Sequence, residues 1–159
     1  MKYDSPHKTE VDHLQDLKKY EGKELGLTEW IGITQDQINR FARLTDDEQW
    51  IHVDVERSER ESPYETTVAH GFLILSFCSR FIFETLTIQN KSIGLNYGLN
   101  RVRFPNAVKV NNEIRGRVTL KEFIEIDRGA RLIFEIIFEI KGETKPACVS
   151  ENISQCYVT

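Results

Sequence analysis

From Phe72 to Leu86 the chain reads FLILSFCSRFIFETL, and its apolar residues fall on every side of a helix. Most helices of globular proteins keep one polar face toward water. Here Phe72, Leu73, Ile74, Leu75, Phe77, Cys78, Phe81, Ile82, Phe83 and Leu86 leave none. Such a segment has to be covered on nearly all sides. A bilayer is not the cover, because a span needs about 20 predominantly apolar residues and Ser76, Ser79, Arg80 and Glu84 interrupt this run. The run predicts a long central buried helix, opened by His70-Gly71, with the other elements wrapped around it.

Those elements can be read on either side of the run. Residues 1–11 are polar and expected to be loose, after which Val11, Leu14, Leu17 and Lys18 recur at helical spacing until Gly22. Leu25–Ile33 reads as a first strand, with Leu25, Leu27, Trp30 and Ile31 turned inward. Thr34 to Gln37 fits a capping box and predicts a helix to about Thr45, buried through Ile38, Phe41, Ala42 and Leu44. Asp54 caps a short polar helix, Asp54–Glu61, which Ser62-Pro63 breaks.

Past residue 92 the period changes to two. Ile93, Leu95, Tyr97 and Leu99 alternate on one face, and Val102 and Phe104 continue in the opposite phase. A one-residue slip of this kind places a bulge near Asn100. Asn111-Asn112 and Asp127-Arg128-Gly129 mark turns between long alternating strands, and a last strand over 147–158 follows the turn at 142–146. Strands grouped after helices predict an α+β protein, with an antiparallel sheet curled around the helix and residues 1–159 forming a single domain. The sheet covers the helix on one side only. The remaining apolar strip and the sheet edges need cover, so a homodimer or higher homo-oligomer is expected.

A net charge of −4 argues against a nucleic-acid partner, since such binding rests on phosphate neutralisation. Cys78, Cys148 and Cys156 lack paired-motif spacing, which predicts neither disulfides nor a zinc site. The polar N-terminal stretch has no signal-peptide core. The expectation is a reduced, soluble, cytoplasmic protein with no membrane partner.

The polar loop before the apolar run carries the reactive side chains: Asp46, Asp47, Glu48, His52 and Asp54, with His70 eighteen residues past His52. Four readings are open. The loop can be a solvated acidic segment with core histidines. His52, Asp54 and His70 can ligate a metal, although no recurring ligand spacing is matched. Ser79 or Cys78 can be a nucleophile, although no nucleophile signature surrounds either. A carboxylate and an imidazole can also work as an acid–base pair, which suits adding water across a polarised double bond. An enolate-like transition state then needs donors aimed at its oxyanion. Gly71, opening the helix, offers a free amide there.

The run Thr45 to Asp54 (TDDEQWIHVD), followed by Val68-Ala69-His70-Gly71-Phe72-Leu73, resembles the hydratase motif of MaoC-like dehydratases, most closely the NodN-like branch. The likeness extends to 25–45 and to Asn96–Pro105. The resemblance implies a hot-dog fold and reversible (R)-specific hydration of trans-2-enoyl thioesters, without metal or redox cofactor. The substrate would be carried by coenzyme A or acyl carrier protein. It assigns Asp47 and His52 to catalysis and the Gly71 amide to the oxyanion hole. Ser79, His70 and Gln49 take supporting places. Trp50, Arg101, Arg103 and Lys109 are candidates for contact with substrate, the cations with its phosphates.

Two departures from the family pattern bear on the loop. Asp46 stands where many relatives have glycine and sets a negative charge beside Asp47, and Gln49-Trp50 replaces Asn-Pro. Two further functions remain to be separated from hydration: thioester hydrolysis on the same fold, and a non-catalytic acyl-thioester-binding scaffold.

Overall fold

The computed structural model describes residues 4–91 and 93–158. Among the described residues six strands form the main sheet, five of them in one row: β2 (Lys23–Leu27), β5 (Ile93–Arg103), β6 (Glu113–Ile126), β7 (Gly129–Ile140) and β8 (Cys148–Tyr157). Their order is β2-β6-β7-β8-β5, antiparallel throughout, with the short β3 (Ile31–Gly32) also pairing with β6. β1 (Thr9–Val11) pairs in parallel with β4 (Leu86–Ile88). The second half of the segment expected to be loose is thus ordered, because the backbone of residues 9–11 finds β4 and His7 bridges Leu27. Residues 1–3 lie outside the described residues.

The apolar run forms α4 (Gly71–Ser76) and α5 (Cys78–Thr85), one rod interrupted at Phe77 rather than an unbroken helix. Hydrogen bonding continues across the joint, from Phe77 N to Ile74 O and from Phe81 N to Phe77 O. Ser76 Oγ donates back to Leu73 O at 2.6 Å. A serine bonding its own helix in this way tends to bend it. Leu73, Ile74, Cys78, Phe81 and Ile82 are buried against the sheet. Phe81 lies so close to β6 that a Cβ on Gly116 would come within 2.2 Å of its ring.

The rod is covered on one side only. Phe72 is 70% exposed and Phe83 60% exposed. Ile93, Leu95, Tyr97 and Leu99 of β5 are exposed as well, but they do not form the single row expected: the irregularity between Asn96 and Gly98 sets Leu99 opposite buried Asn152 on the side of the rod, while Leu95 lies opposite Gln155 on the other face. The bulge expected near Asn100 is present between Leu99 and Arg101, and a second lies between Asn96 and Gly98.

The first predicted strand is broken at 28–30 into β2 and β3, with Trp30 turned out beneath Arg115. The remaining helices are a 3-10 helix (Leu14–Tyr20), α1 (Gln35–Thr45), α2 (Trp50–Val53) and α3 (Val55–Glu61). Thr34 and Gln37 close the capping box of α1, and Asp54 caps α3. Leu44, expected in the buried stripe of α1, is exposed, while Ile38 and Ala42 are buried. No helix among the described residues is long and apolar enough to cross a membrane.

Candidate active site

α1 ends at Asp46, whose backbone is left-handed with φ 56°. This is the C-cap position where glycine is favoured, for want of a clashing Cβ. The amides of Asp46 and Asp47 both return to Ala42 O, so the chain turns sharply and Asp47 enters the loop directly after the helix. One further turn, α2, carries His52. Gln35 holds this loop from α1: its amide nitrogen donates to His52 O at 2.7 Å, and its oxygen accepts from buried Thr67. Thr67 begins the segment that runs through Val68 to His70.

That segment and the loop meet through both imidazoles. His52 Nδ1 donates to Val68 O at 2.6 Å, and His70 Nε2 donates to Asp47 O at 2.9 Å. Each bond fixes a tautomer, because a carbonyl can only accept. The lone pairs are then left on His52 Nε2 and His70 Nδ1, and His70 Nδ1 is buried without a partner. Burial lowers the His52 pKa from 6.5 and neighbouring His70 adds to this. The Val68 carbonyl and Asp47 oppose it without reversing it. His52 is therefore neutral at neutral pH and able to accept a proton.

An Asp47 carboxylate oxygen and one ring nitrogen each of His52 and His70 lie within 4.8 Å of one another. Two imidazoles braced on backbone carbonyls plus a carboxylate are donors that a divalent cation can use. The same acceptors fit a water molecule, which needs somewhere to point its two hydrogens. His52 and Gly71 line one cavity of about 280 Å³ together with Ile74 and Phe104. The Gly71 amide is in the first turn of α4, where it has no acceptor within the helix. A Cβ at Gly71 would stand 3.2 Å from the Phe104 ring, so the absence of a side chain keeps this approach open.

The other expected residues are placed differently. Ser79 accepts a hydrogen bond from Asn96 Nδ2 at 2.9 Å. Gln49 contributes its backbone, with its carbonyl accepting from His52 N. The Trp50 ring is covered by the Arg57 guanidinium, 4.3 Å from its centroid. Arg101 and Arg103 line a cavity on the outer face of the sheet with Lys121, Glu135 and Glu151, away from the His52–Gly71 cavity. Lys109 is exposed, and its backbone bridges Val68. Burial pushes the Cys78 thiol up and Cys148 up to about 12, so neither is a thiolate nucleophile at neutral pH.

Gln35, Asn96 and Phe104 were not singled out by the sequence. Gln35 reads there as an ordinary first-turn residue, and only the tertiary structure brings it beneath His52. Asn96 and Phe104 fall inside the family-like stretch 96–105, which names no role for them.

Comparison with known proteins bears on the family and the fold. The MaoC like domain family model matches residues 16–133. A 3-hydroxyacyl-thioester dehydratase Z of Mycobacterium tuberculosis is 38% identical, over 89% of this chain and 94% of that protein. Nodulation protein N of Rhizobium leguminosarum bv. viciae is 43% identical over 89% of both. Two solved structures share the fold. A MaoC-like dehydratase from Rhodospirillum rubrum has a TM-score of 0.74 at 17% identity, covering 94% of this chain and 99% of its own. An (R)-hydratase from A. caviae has a TM-score of 0.65 at 19% identity, covering 84% and 94%. An antiparallel sheet wrapped on an apolar helix, with the paired motif at the helix mouth, matches the hot-dog architecture of these proteins, and the chain belongs to the MaoC-like dehydratase family.

Proposed function

We propose that this protein catalyses the reversible hydration of trans-2-enoyl thioesters to 3-hydroxyacyl thioesters. The observation that carries this reading is the tautomer of His52. With Nδ1 committed to Val68 O, Nε2 is left as a bare base; one His52 ring nitrogen lies within 4.8 Å of an Asp47 carboxylate oxygen, and His52 lines a cavity with Gly71. In the hydration direction a water held by Asp47 and His52 attacks carbon 3 through its oxygen. The pair takes one proton from that water, and negative charge moves through carbon 2 onto the thioester oxygen. The Gly71 amide donates to that oxygen, and the pair then returns a proton to carbon 2. Every atom of the water ends in the product, so no further reactant is needed.

A second copy of the chain belongs to this proposal. β5 offers one unpaired edge with exposed Ile93, Leu95, Tyr97 and Leu99, and Phe72 and Phe83 are exposed on the rod. An open apolar edge strand pairs readily with another strand, and a second β5 would cover both edge and rod. Sedimentation should show a dimer or larger assembly at micromolar concentration, and a clean monomer contradicts it.

The reaction is tested by mixing the protein with crotonyl-CoA and following the enoyl-thioester absorbance, with a thiol reagent in parallel. Loss of the band without thiol release is the expected result. Thiol release would identify a thioesterase. Binding without either change, repeated with longer enoyl chains, would identify a scaffold.

A further inference from the structure

The side of the rod that begins at Gly71 continues through Leu75, Ser79 and Ile82 and leads to Leu86, the first residue of β4. Steps of three and four residues keep a helix on one side, and cavities follow that side away from the catalytic loop. Next along the rod from Gly71 and Ile74, which line the His52 cavity, a separate cavity of about 250 Å³ is lined by Leu75, Ser79, Leu99 and Asn152. Beyond it lies one of about 240 Å³, lined by Ile82, Phe83, Leu86, Leu132 and Phe134. The residues common to these two cavities are Ser79 and Asn96, and those two side chains are hydrogen-bonded at 2.9 Å. The inward side chains of β8 beside them, Ser150, Asn152 and Ser154, are small, whereas those of β7 are large (Leu132, Phe134, Ile136, Phe138). Small residues on β8 leave the space that the large ones on β7 fill.

We propose that the Asn96–Ser79 pair is a gate on the acyl path, and that the preferred substrates are medium-chain, unbranched acyl thioesters long enough to pass it. This rests on the hydratase reading, which sets the thioester at Gly71. The stretch from Gly71 to Ser79 is eight residues, roughly 12 Å of helix, and the farther cavity is lined mainly by carbon. Opening one neutral hydrogen bond lowers affinity roughly fivefold. Each methylene buried beyond it returns roughly fourfold. A chain that just reaches the gate gains little from its last carbon, and one two carbons longer recovers the loss. Chain-length preference therefore shows a step at the gate.

The test is kcat/KM for straight trans-2-enoyl-CoAs from crotonyl to dodecenoyl, together with calorimetric binding of saturated acyl-CoAs of the same lengths. The wild type is expected to show the step in both series. Asn96→Ala should remove it, raising the ratio of kcat/KM just beyond the gate to that just before it about fivefold. Asn96→Asp, in which Ser79 can donate to the carboxylate, should keep the step and shows whether replacement alone matters. A smooth wild-type profile, or an equal fall at all lengths in Asn96→Ala, overturns the gate. A step in binding without turnover of any enoyl thioester would overturn the hydratase reading and leave the gate standing.

Discussion

The imidazole of His52 lies stacked on that of His70, with ring centroids 3.8 Å apart and planes at 25°. Phe41 of α1 packs against the far partner, 5.1 Å from the His70 ring. The stack joins the polar loop to the mouth of the central helix, and the two hydrogen bonds to Val68 O and Asp47 O cross between the same two segments. His52 and His70 are therefore held as a unit. Two protonated rings at this distance would repel.

Activity should follow the neutral form of His52. Its pKa is lowered from 6.5, chiefly by burial, so the acid limb of the kcat/KM profile should have its midpoint below 6.5. Folding is linked to the same proton: the unfolded chain binds it more readily, so stability rises with pH between the folded value and 6.5. Below 6.5 the urea midpoint should fall, and in His52→Ala that part of the pH dependence should disappear. An acid limb above 6.5 assigned to His52 would contradict this.

Removing either member of the acid–base pair removes a proton-transfer group. Asp47→Asn and His52→Ala should each lower turnover by at least about a hundredfold, with Asp47→Asn leaving the circular dichroism melt nearly unchanged. Wild-type rates in either variant would withdraw the assigned roles.

His70 and Gln35 act on the pair by holding it. His70→Phe preserves the stacked ring and loses the hydrogen bond to Asp47 O, and Gln35→Leu frees the His52 carbonyl and Thr67. His70→Phe loses one hydrogen bond and Gln35→Leu two, at about 1 kcal/mol each, so kcat should fall roughly fivefold in the first and further in the second. The pH midpoint should move in His70→Phe, where a neighbouring imidazole is gone, and stay in place in Gln35→Leu.

Asp46 occupies a left-handed position, a conformation that costs L-residues about 1–2 kcal/mol and aspartate less than most. Asp46→Gly should relieve it, offset in part by the greater freedom of glycine in the unfolded chain. A net gain of about 0.5 kcal/mol is expected, read as a small rise in Tm. A fall in Tm would mean that the Asp46 side chain contributes more than its strain.

On the outer face of the sheet the Arg117 side chain, 4% exposed, is bonded to Glu24 at 2.9 Å and Glu139 at 2.8 Å. Burial raises the Glu139 pKa, but its bonds to Arg117 and Arg115 outweigh this and hold it below 4.5. Arg117→Met should cost about 3 kcal/mol, the low end for a broken buried pair, because Arg115 still meets Glu139 and His7 still meets Glu24. The carboxylate contribution is fully present above pH 4.5 and is lost as pH falls toward the folded value. Urea midpoints at neutral and acid pH should therefore converge in the variant.

The sequence by itself determined the α+β class, the capped helices at Thr34 and Asp54, the turns, the bulge at Asn100 and the two segments that carry the family motif. These are local: period, caps and turn residues act over a few positions, and the spacing of Asp47, His52 and Gly71 survives in one dimension. The tertiary structure decided what depends on distant segments meeting. Leu44 is exposed because no described residue covers that side of α1, and Leu99 leaves the face of Ile93 and Leu95 because the strand is irregular between Asn96 and Gly98. Residues 9–11 are a strand because β4 passes beside them. His52 keeps its lone pair on Nε2 because Val68, sixteen residues away, takes its other nitrogen. Ser79 faces Asn96 because the rod crosses β5 there. Hydrophobic pattern records which residues avoid water, and only packing decides which neighbour excludes it.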